Sequence, residues 1–282
     1  FAAGFAAREG ANVLLLEKNP QCCAKILITG KGRCNVTHSE DDPRKFVEHF
    51  GRNGKALLTA LYAFGVKDVV AFFEEQGVPL KIERGGRIFP DKGAAKDVQK
   101  AVIAFARDAG VEMRTSCTVK TLLVEGDVVK ALETSAGAFS ADNIIIATGG
   151  LSYSETGCTG DGYAWAKACG HRVVKPEAAL VPVKLNDAWT AEVSNFNLKN
   201  VRISLCVDGK KVDERFGEAF FTRAGIGGPI ILDMSSRIRD ELKKGTVKLL
   251  LDLKPAVATE LFDKRLQREL AEQSNLEFGK SL

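Results

Sequence analysis

Histidine is scarce in this chain. His38, His49 and His171 stand alone, and no histidine pair has the spacing of a zinc site. Cysteine occurs seven times. An odd number scattered through 282 residues excludes a disulfide framework of the small secreted kind. It fits a reducing compartment, so a cytoplasmic location is expected. Cys22 and Cys23 are adjacent, but no Cys-x-x-Cys supplies a resolving partner for a redox thiol. No apolar run approaches the length of a membrane span. Nor does either sign of charge dominate: 40 basic residues face 36 acidic ones, a net charge of +4. That balance argues against a dedicated nucleic-acid binder, though it leaves room for a local basic patch. Internal repeats and low-complexity segments are also absent. What remains, 45% hydrophobic and 27% charged residues, is the composition of an ordinary globular protein long enough for two domains.

The most informative stretch is Val13 to Glu17, four apolar residues and then a carboxylate. It reads as a buried strand with an acid at its C-terminal tip. Phe1 to Glu9 reads as the tail of a helix stopped by Gly10. Helix, glycine, strand and acid form the second half of a dinucleotide-binding βαβ unit, in which the acid holds a ribose hydroxyl about twenty residues after a glycine-rich turn. Counting back from Glu17 runs off the chain. The first strand and its Gly-x-Gly-x-x-Gly turn are therefore expected to precede Phe1, which would make this chain a piece of a longer protein. The absence of Met at position 1 agrees. On this stretch alone, an ordinary α/β unit whose strand ends in a solvated Glu is equally admissible.

After the turn Lys18-Asn19-Pro20 comes a second glycine loop, Lys25 to Thr37. Gly30 and Gly32 expose backbone N–H groups beside Lys25, Lys31 and Arg33, the donors and cations that a pyrophosphate requires. A solvated surface loop is the plainer alternative. Residues 43–77 carry helical apolar stripes, Val78–Glu83 and Arg87–Phe89 read as short strands, and Ala94–Ala109 as a helix closed by Gly110. Val111–Arg114, Thr118–Val124, Val128–Glu133 and the segment around Phe139 read as strands, the last three in an antiparallel meander. Asp142 to Thr148, with three consecutive isoleucines, reads as a central strand buried on both faces and ending in Thr148-Gly149-Gly150. Ligands in open α/β sheets sit at the carboxyl ends of strands, so this tip should lie near Glu17. The run from Gly157 to Gly162 then approaches a helix from Tyr163 to Cys169, another anion-friendly arrangement. His171 reads as the start of a strand.

Beyond about Val183 the texture becomes β-rich. Val201–Val207 and Lys210–Arg215 flank Asp208-Gly209, a favoured two-residue hairpin turn. Phe220–Thr222 and Thr246–Leu253 read as further strands. A helix is expected from Ile230 to Leu242, and Pro255 is expected to open a final helix on which Phe262, Leu266 and Leu270 step by four.

In order along the chain, Leu-Leu-Leu-Glu-Lys-Asn (14–19), the 25–37 loop, Gly-Arg-Ile-Phe-Pro (86–90), Ala-Thr-Gly-Gly-Leu-Ser-Tyr (147–153), Thr-Gly-Cys-Thr-Gly-Asp-Gly-Tyr (156–163), Ala-Leu-Val-Pro (179–182) and the run from Gly217 to Pro229 resemble one bacterial family. It is the aminoacetone-oxidase-like group of NAD(P)/FAD-dependent oxidoreductases, which includes a bile-acid reductase. The Thr-Gly-x-Gly-Arg-Cys-Asn loop and the Gly-Ile-x-Gly-Pro turn carry the specificity of this resemblance. Ala-Thr-Gly and Thr-Gly-Asp-Gly are shared with wider FAD-dependent families.

The resemblance implies an α/β fold: a Rossmann-like FAD-binding domain of the two-dinucleotide-binding-domain flavoprotein type over residues 1–184, an inserted β-barrel-like domain over 185–254, and the start of a helical cap over 255–282. It implies that Glu17 binds the adenosine ribose with Lys18 beside it, and that Lys25, Gly30, Gly32, Arg33, Cys34 and Asn35 line the FAD. Val119 would pair its backbone with adenine. Thr148, Gly149 and Gly150 would pack on the cofactor, with Gly160 and Asp161 near the flavin end. Both terminal glycine-rich FAD segments of the family are missing, and Cys23-Ala24 stand where the family has Gly-Arg. The chain alone is therefore expected to hold FAD weakly or not at all. The implied activity is FAD-dependent oxidation or reduction of a small-molecule substrate lying between the two domains, with NAD(P)H as a candidate electron donor. Tyr153 and Arg223 are candidates for catalysis only because they neighbour motif glycines. Cys34 reads as a small packed residue. Two rival readings are a flavin- or nucleotide-binding regulatory protein without turnover, and a plain NAD-binding α/β enzyme.

Overall fold

The computed structural model describes residues 1–194 and 196–272. The chain divides into two compact units, Phe1–Val174 and Lys175–Leu282.

In the first unit, helix α1 (Ala2–Arg8) leads through Gly10, whose φ of 90° ends it, into strand β1 (Leu14–Leu16). Helix α2 (Ala24–Ile28), strand β2 (Thr37–His38) and helix α3 (Pro43–Phe46) follow. A 3-10 stretch, Val47–Leu57, passes into α4 (Leu58–Ala63) and α5 (Val66–Glu75). Strands β3 (Leu80–Ile82) and β4 (Arg87–Pro90) form a three-stranded sheet with β2. Helix α6 (Ala95–Asp108) delivers the chain to β5 (Glu112–Arg114), which pairs in parallel with β1, Leu15 opposite Met113. The expected meander is present as β6 (Val119–Glu125), β7 (Val128–Thr134) and β8 (Gly137–Ser140). Helix α7 (Asp161–Ala168) closes the unit.

The core of this unit is aromatic. Val98, Ala101, Val102 and Phe105 of α6 meet Phe72 and Phe73 of α5, their spacings of three and four bringing them onto one face. Phe1 and Phe5 stack over the same cluster, so α1 is docked where it aims β1.

Two strand expectations fail here. Leu14 is 36% exposed, and Leu15 and Leu16 are only half-buried. The β1 sheet contains two strands among the described residues, too few to cover both faces. Residues 142–148 form no strand at all, and Ile145 is 66% exposed and Ile146 44%. A strand buried on both faces needs ladder partners and covering elements, and among the described residues none pairs with this run. His171 likewise begins no strand.

The second unit is a five-stranded antiparallel sheet with one helix on its face. Its elements are β9 (Val183–Lys184), β10 (Asn197–Val207), β11 (Lys210–Thr222), β12 (Gly225–Gly227), α8 (Pro229–Leu242) and β13 (Val247–Asp252), with sheet order β13-β10-β11-β12-β9. The β10–β11 hairpin turns on Asp208 and Gly209, both at positive φ, as the two-residue turn requires. Ile203 and Leu205 of the sheet and Ile231 and Met234 of α8 are fully enclosed. Residues 175–184, which the resemblance assigns to the first domain, fall in this unit, where β9 pairs with β12.

The final helix α9 (Thr259–Glu272) starts four residues after Pro255, which lies instead in a turn closed by Val257 N–H donating to the Lys254 carbonyl at 2.9 Å. Residues 273–282 of the expected cap lie outside the described residues. No single helix among the described residues is long and apolar enough to cross a membrane.

Candidate functional site

The C-terminal end of β1 is the focus of the first unit. Glu17 is fixed through its backbone: its N–H donates to the Arg114 carbonyl (2.9 Å), and its carbonyl accepts from Cys117 N–H (3.0 Å). Its side chain is steadied by the Asn19 N–H, which donates to Oε1 at 2.8 Å. The other carboxylate oxygen has no hydrogen-bond partner among the described residues. It is an acceptor at a strand tip, the feature that a ribose diol recognises.

Three of the expected segments converge on this tip. Lys18 Nζ donates to Asp161 Oδ2 at 2.7 Å and to the Thr159 hydroxyl. Asn19 Nδ2 donates to the Thr156 carbonyl at 3.0 Å. Lys25, on α2, reaches Ser152 Oγ at 3.3 Å and lies 5.9 Å over the Tyr153 ring. The hydrogen bond from Lys18 holds the Asp161 carboxyl below its usual range; partial burial opposes this and the Thr159 hydroxyl assists it. Residues 17–19, 25 and 148–161 therefore form one neighbourhood. Val119 follows two residues beyond Cys117, whose N–H holds the Glu17 carbonyl. It lies on β6, the edge of its sheet, where one side of the backbone lacks a ladder partner among the described residues.

The glycines of this neighbourhood serve the chain's own packing. A Cβ on Gly149 would lie 3.0 Å from Cys158 Sγ, one on Gly157 2.6 Å from Asn19 Nδ2, and one on Gly160 2.6 Å from Leu151. Thr148 is packed under Gly162, and Gly150 faces the Tyr163 hydroxyl.

Other expectations are redistributed. The 30–35 loop turns with Gly30, Lys31, Gly32 and Cys34 all at positive φ, but Arg33 and Asn35 face the β2–β4–β3 sheet and Cys34 packs with α5 and α6. Arg33 is committed to a bidentate pair with Glu83, at 2.9 Å and 3.2 Å, and lies 4.2 Å over the Phe89 ring. The Asn35 amide, with its nitrogen toward the sheet, donates to the carbonyls of Thr37 and Ile88. Cys34 is buried, and burial pushes its thiol up, as a packed residue requires. Asp161 stands one lysine side chain from residue 18, beside the tip of β1 that carries Glu17. Tyr153 is 62% exposed at φ 57°, and Arg223 is exposed in the turn between β11 and β12, in the other unit. Asn19, Ser152, Thr156 and Thr159 were not singled out from the sequence. Asn19 had looked like a simple turn residue, and its side-chain hydrogen bond depends on a segment 137 residues away.

A parallel β1–β5 pair flanked by α1 and α6, with its acid at the strand tip, defines a Rossmann-like α/β unit. Residues 1–249 match the model of the HI0933-like protein Rossmann domain, and the chain belongs to that family. Among curated proteins it is 29% identical over 248 residues to a 3-dehydro-bile acid delta(4,6)-reductase of Clostridium scindens, covering 87% of this chain and 59% of that protein. It is 28% identical over 240 residues to a ribosomal RNA dihydrouridine synthase of Haemophilus influenzae, covering 84% and 58%. The chain thus spans less than two thirds of the length of these relatives. Among solved structures, the open conformation of a flavocytochrome c3 fumarate reductase is similar in fold, with a TM-score of 0.50 and 20% identity over 70% of this chain and 44% of that one.

Proposed function

We propose that this chain carries the adenosine-binding part of an FAD site in an oxidoreductase that reduces a carbon–carbon double bond conjugated to a carbonyl. The convergence of residues 17–19, 25 and 148–161 at the end of β1 is the observation that carries this reading. The residues present fit the adenosine end of the cofactor. Glu17 offers a carboxylate oxygen to the ribose hydroxyls, Lys25 a cation to the phosphates, and the edge of β6 at Val119 backbone groups to the base. Glycines at 149, 150 and 160 keep the backbone close-packed around this end. Bound FAD supplies the two-electron chemistry, with NAD(P)H as the donor that recharges it. Position and electrostatics are the protein's share.

The reduced bond is suggested by what two relatives are named for. A 3-dehydro-delta(4,6) steroid and the uracil of uridine both contain a C=C conjugated to a C=O. Our first reading keeps a small organic substrate; a uridine within RNA is the second, and the ribosomal RNA relatives favour it. Residues 185–254 as an inserted domain and 255–282 as the start of a cap belong to the same proposal.

The test uses the full-length protein. Flavin absorbance should co-purify and be bleached by NADH or NADPH. Colour should return on adding a steroid dienone or a uridine-containing ribosomal RNA segment, with a mass gain of two hydrogens in the product. Glu17→Ala should weaken FAD binding about tenfold or more, the loss of a charge-assisted hydrogen bond. Absence of flavin would overturn the assignment. Bound flavin that no donor reduces would favour a regulatory protein without turnover.

A further inference from the structure

Lys18 follows the ribose acceptor directly, and by charge alone it would be taken for a phosphate ligand. Its ammonium is already spent. One hydrogen bond goes to the Thr159 hydroxyl and one to Asp161 Oδ2 at 2.7 Å, and the Thr159 hydroxyl itself donates to Asp161 Oδ1 at 2.9 Å. The positive charge is therefore neutralised within the protein. The next residue repeats the pattern. Asn19 N–H holds the Glu17 carboxylate, its side-chain amide holds the Thr156 carbonyl, and its own carbonyl accepts from Ser116 N–H at 2.9 Å. Gly157 leaves the room this needs, since a Cβ there would lie 2.6 Å from the Asn19 amide nitrogen. The two residues after Glu17 are thus tied to one loop, 156–161, and the backbone N–H of the second, Asn19, holds the Glu17 carboxylate.

We infer that Lys18, Asn19, Thr159 and Asp161 form a clamp that positions Glu17, with Lys18 acting through Asp161 and not on the cofactor. Lys18 and Asp161 are positioning residues. The inference rests on the reading that Glu17 holds the ribose of FAD. Without the clamp the 17–19 turn loses its hold on the 156–161 loop, and the carboxylate samples orientations that no longer meet a ribose.

The test compares wild type with Lys18→Met, Lys18→Arg, Asp161→Asn, the Lys18→Met/Asp161→Asn pair and Glu17→Ala. Amide hydrogen exchange is measured at residues 17–19 and 156–161 without cofactor, and FAD affinity by titration of flavin fluorescence. Lys18→Met and Asp161→Asn should each speed exchange at both segments and weaken FAD, by a similar factor of roughly five- to tenfold. The double variant should be no worse than the worse single, and Lys18→Arg should restore most of both readouts. Weaker FAD binding by Lys18→Met with exchange unchanged would overturn the inference, because Lys18 would then be touching the cofactor. So would a double variant whose loss is the product of the two singles. Glu17→Ala separates the two levels: unchanged FAD affinity there sinks the ribose reading itself, whereas failure confined to the clamp variants sinks only the clamp.

Discussion

The Lys18 ammonium donates to the Asp161 carboxylate across 2.7 Å, joining the residue after the β1 acid to the first residue of α7, 143 positions away. Asp161 also sits in the first turn of that helix, where a negative charge is favoured. Its carboxyl is held below its ordinary value of 3.8, chiefly by the Lys18 hydrogen bond. The folded state therefore binds the Asp161 proton less readily than the unfolded state does. The resulting stabilisation is fully present above pH 3.8 and is lost as the pH falls through the lower folded value. Both side chains are partly solvated, so its size is about 0.5–1 kcal/mol. Urea melts should show Asp161→Asn less stable than wild type by that amount at neutral pH, and the gap should close in strong acid. A gap that widens in acid would show the bridge to be irrelevant.

Gly157 combines a φ of 89° with a close approach to Asn19, so alanine there should incur both backbone strain and a clash. Gly10 separates the two effects. Its φ is 90°, but nothing lies within 4 Å of the Cβ it would gain. Gly10→Ala should cost about 1–2 kcal/mol from the left-handed backbone alone. Gly157→Ala should cost about 1–3 kcal/mol more, through the displaced amide. Chemical denaturation of the two variants side by side checks the difference. Equal losses would mean that Asn19 moves aside freely.

Cysteine chemistry offers a check on packing. Burial pushes the thiols of Cys22, Cys23 and Cys34 up, with Glu17 adding to the effect at the first two. Cys34 is enclosed, whereas Cys169 at the end of α7 is half-exposed. Iodoacetamide followed by peptide mass mapping should label Cys169 well before Cys34 in the native protein at neutral pH, and all seven once it is unfolded. Rapid native labelling of Cys34 would mean that the 30–35 loop opens readily.

Local pattern carried most of the secondary structure. The α6 stripe, the meander and the Asp208-Gly209 hairpin were legible because each is specified by spacing or turn chemistry within one short segment. Two of the failed strand expectations share a cause. Val13–Glu17 and Asp142–Thr148 have the composition of fully covered strands, but coverage is a property of neighbours, and the described neighbours do not provide it. The site divided in the same way. Glu17 was legible because a strand tip is a local feature. The commitments of Lys18 to Asp161 and of Arg33 to Glu83 were not, since each partner lies far away in sequence and charge alone does not reveal it. Asn19 was missed because its role exists only once residues 156–157 arrive beside it.

The placement of β1 depends on one ring. Phe105 on α6 is 1% exposed, packs edge-on against Phe72 at 4.9 Å, meets Phe5 of α1 at a tilt with ring centres 5.1 Å apart, and carries the Arg8 guanidinium 4.5 Å over its face. Gly4 of α1 lies so close that any Cβ there would overlap the ring. Phe105→Ala should cost about 3–5 kcal/mol, a deletion in a packed core. Gly4→Ala should cost about 1–3 kcal/mol by overpacking the same contact from the other side. Because one contact underlies both, the variants should not add. Gly4→Ala combined with Phe105→Leu, which removes ring volume where the methyl arrives, should be less destabilised than the sum of its singles, with a coupling of about 1 kcal/mol. A double-mutant cycle by urea denaturation measures this. Strict additivity would mean that α1 does not rest on Phe105, and that some other contact holds the helix that feeds the chain into β1 and Glu17.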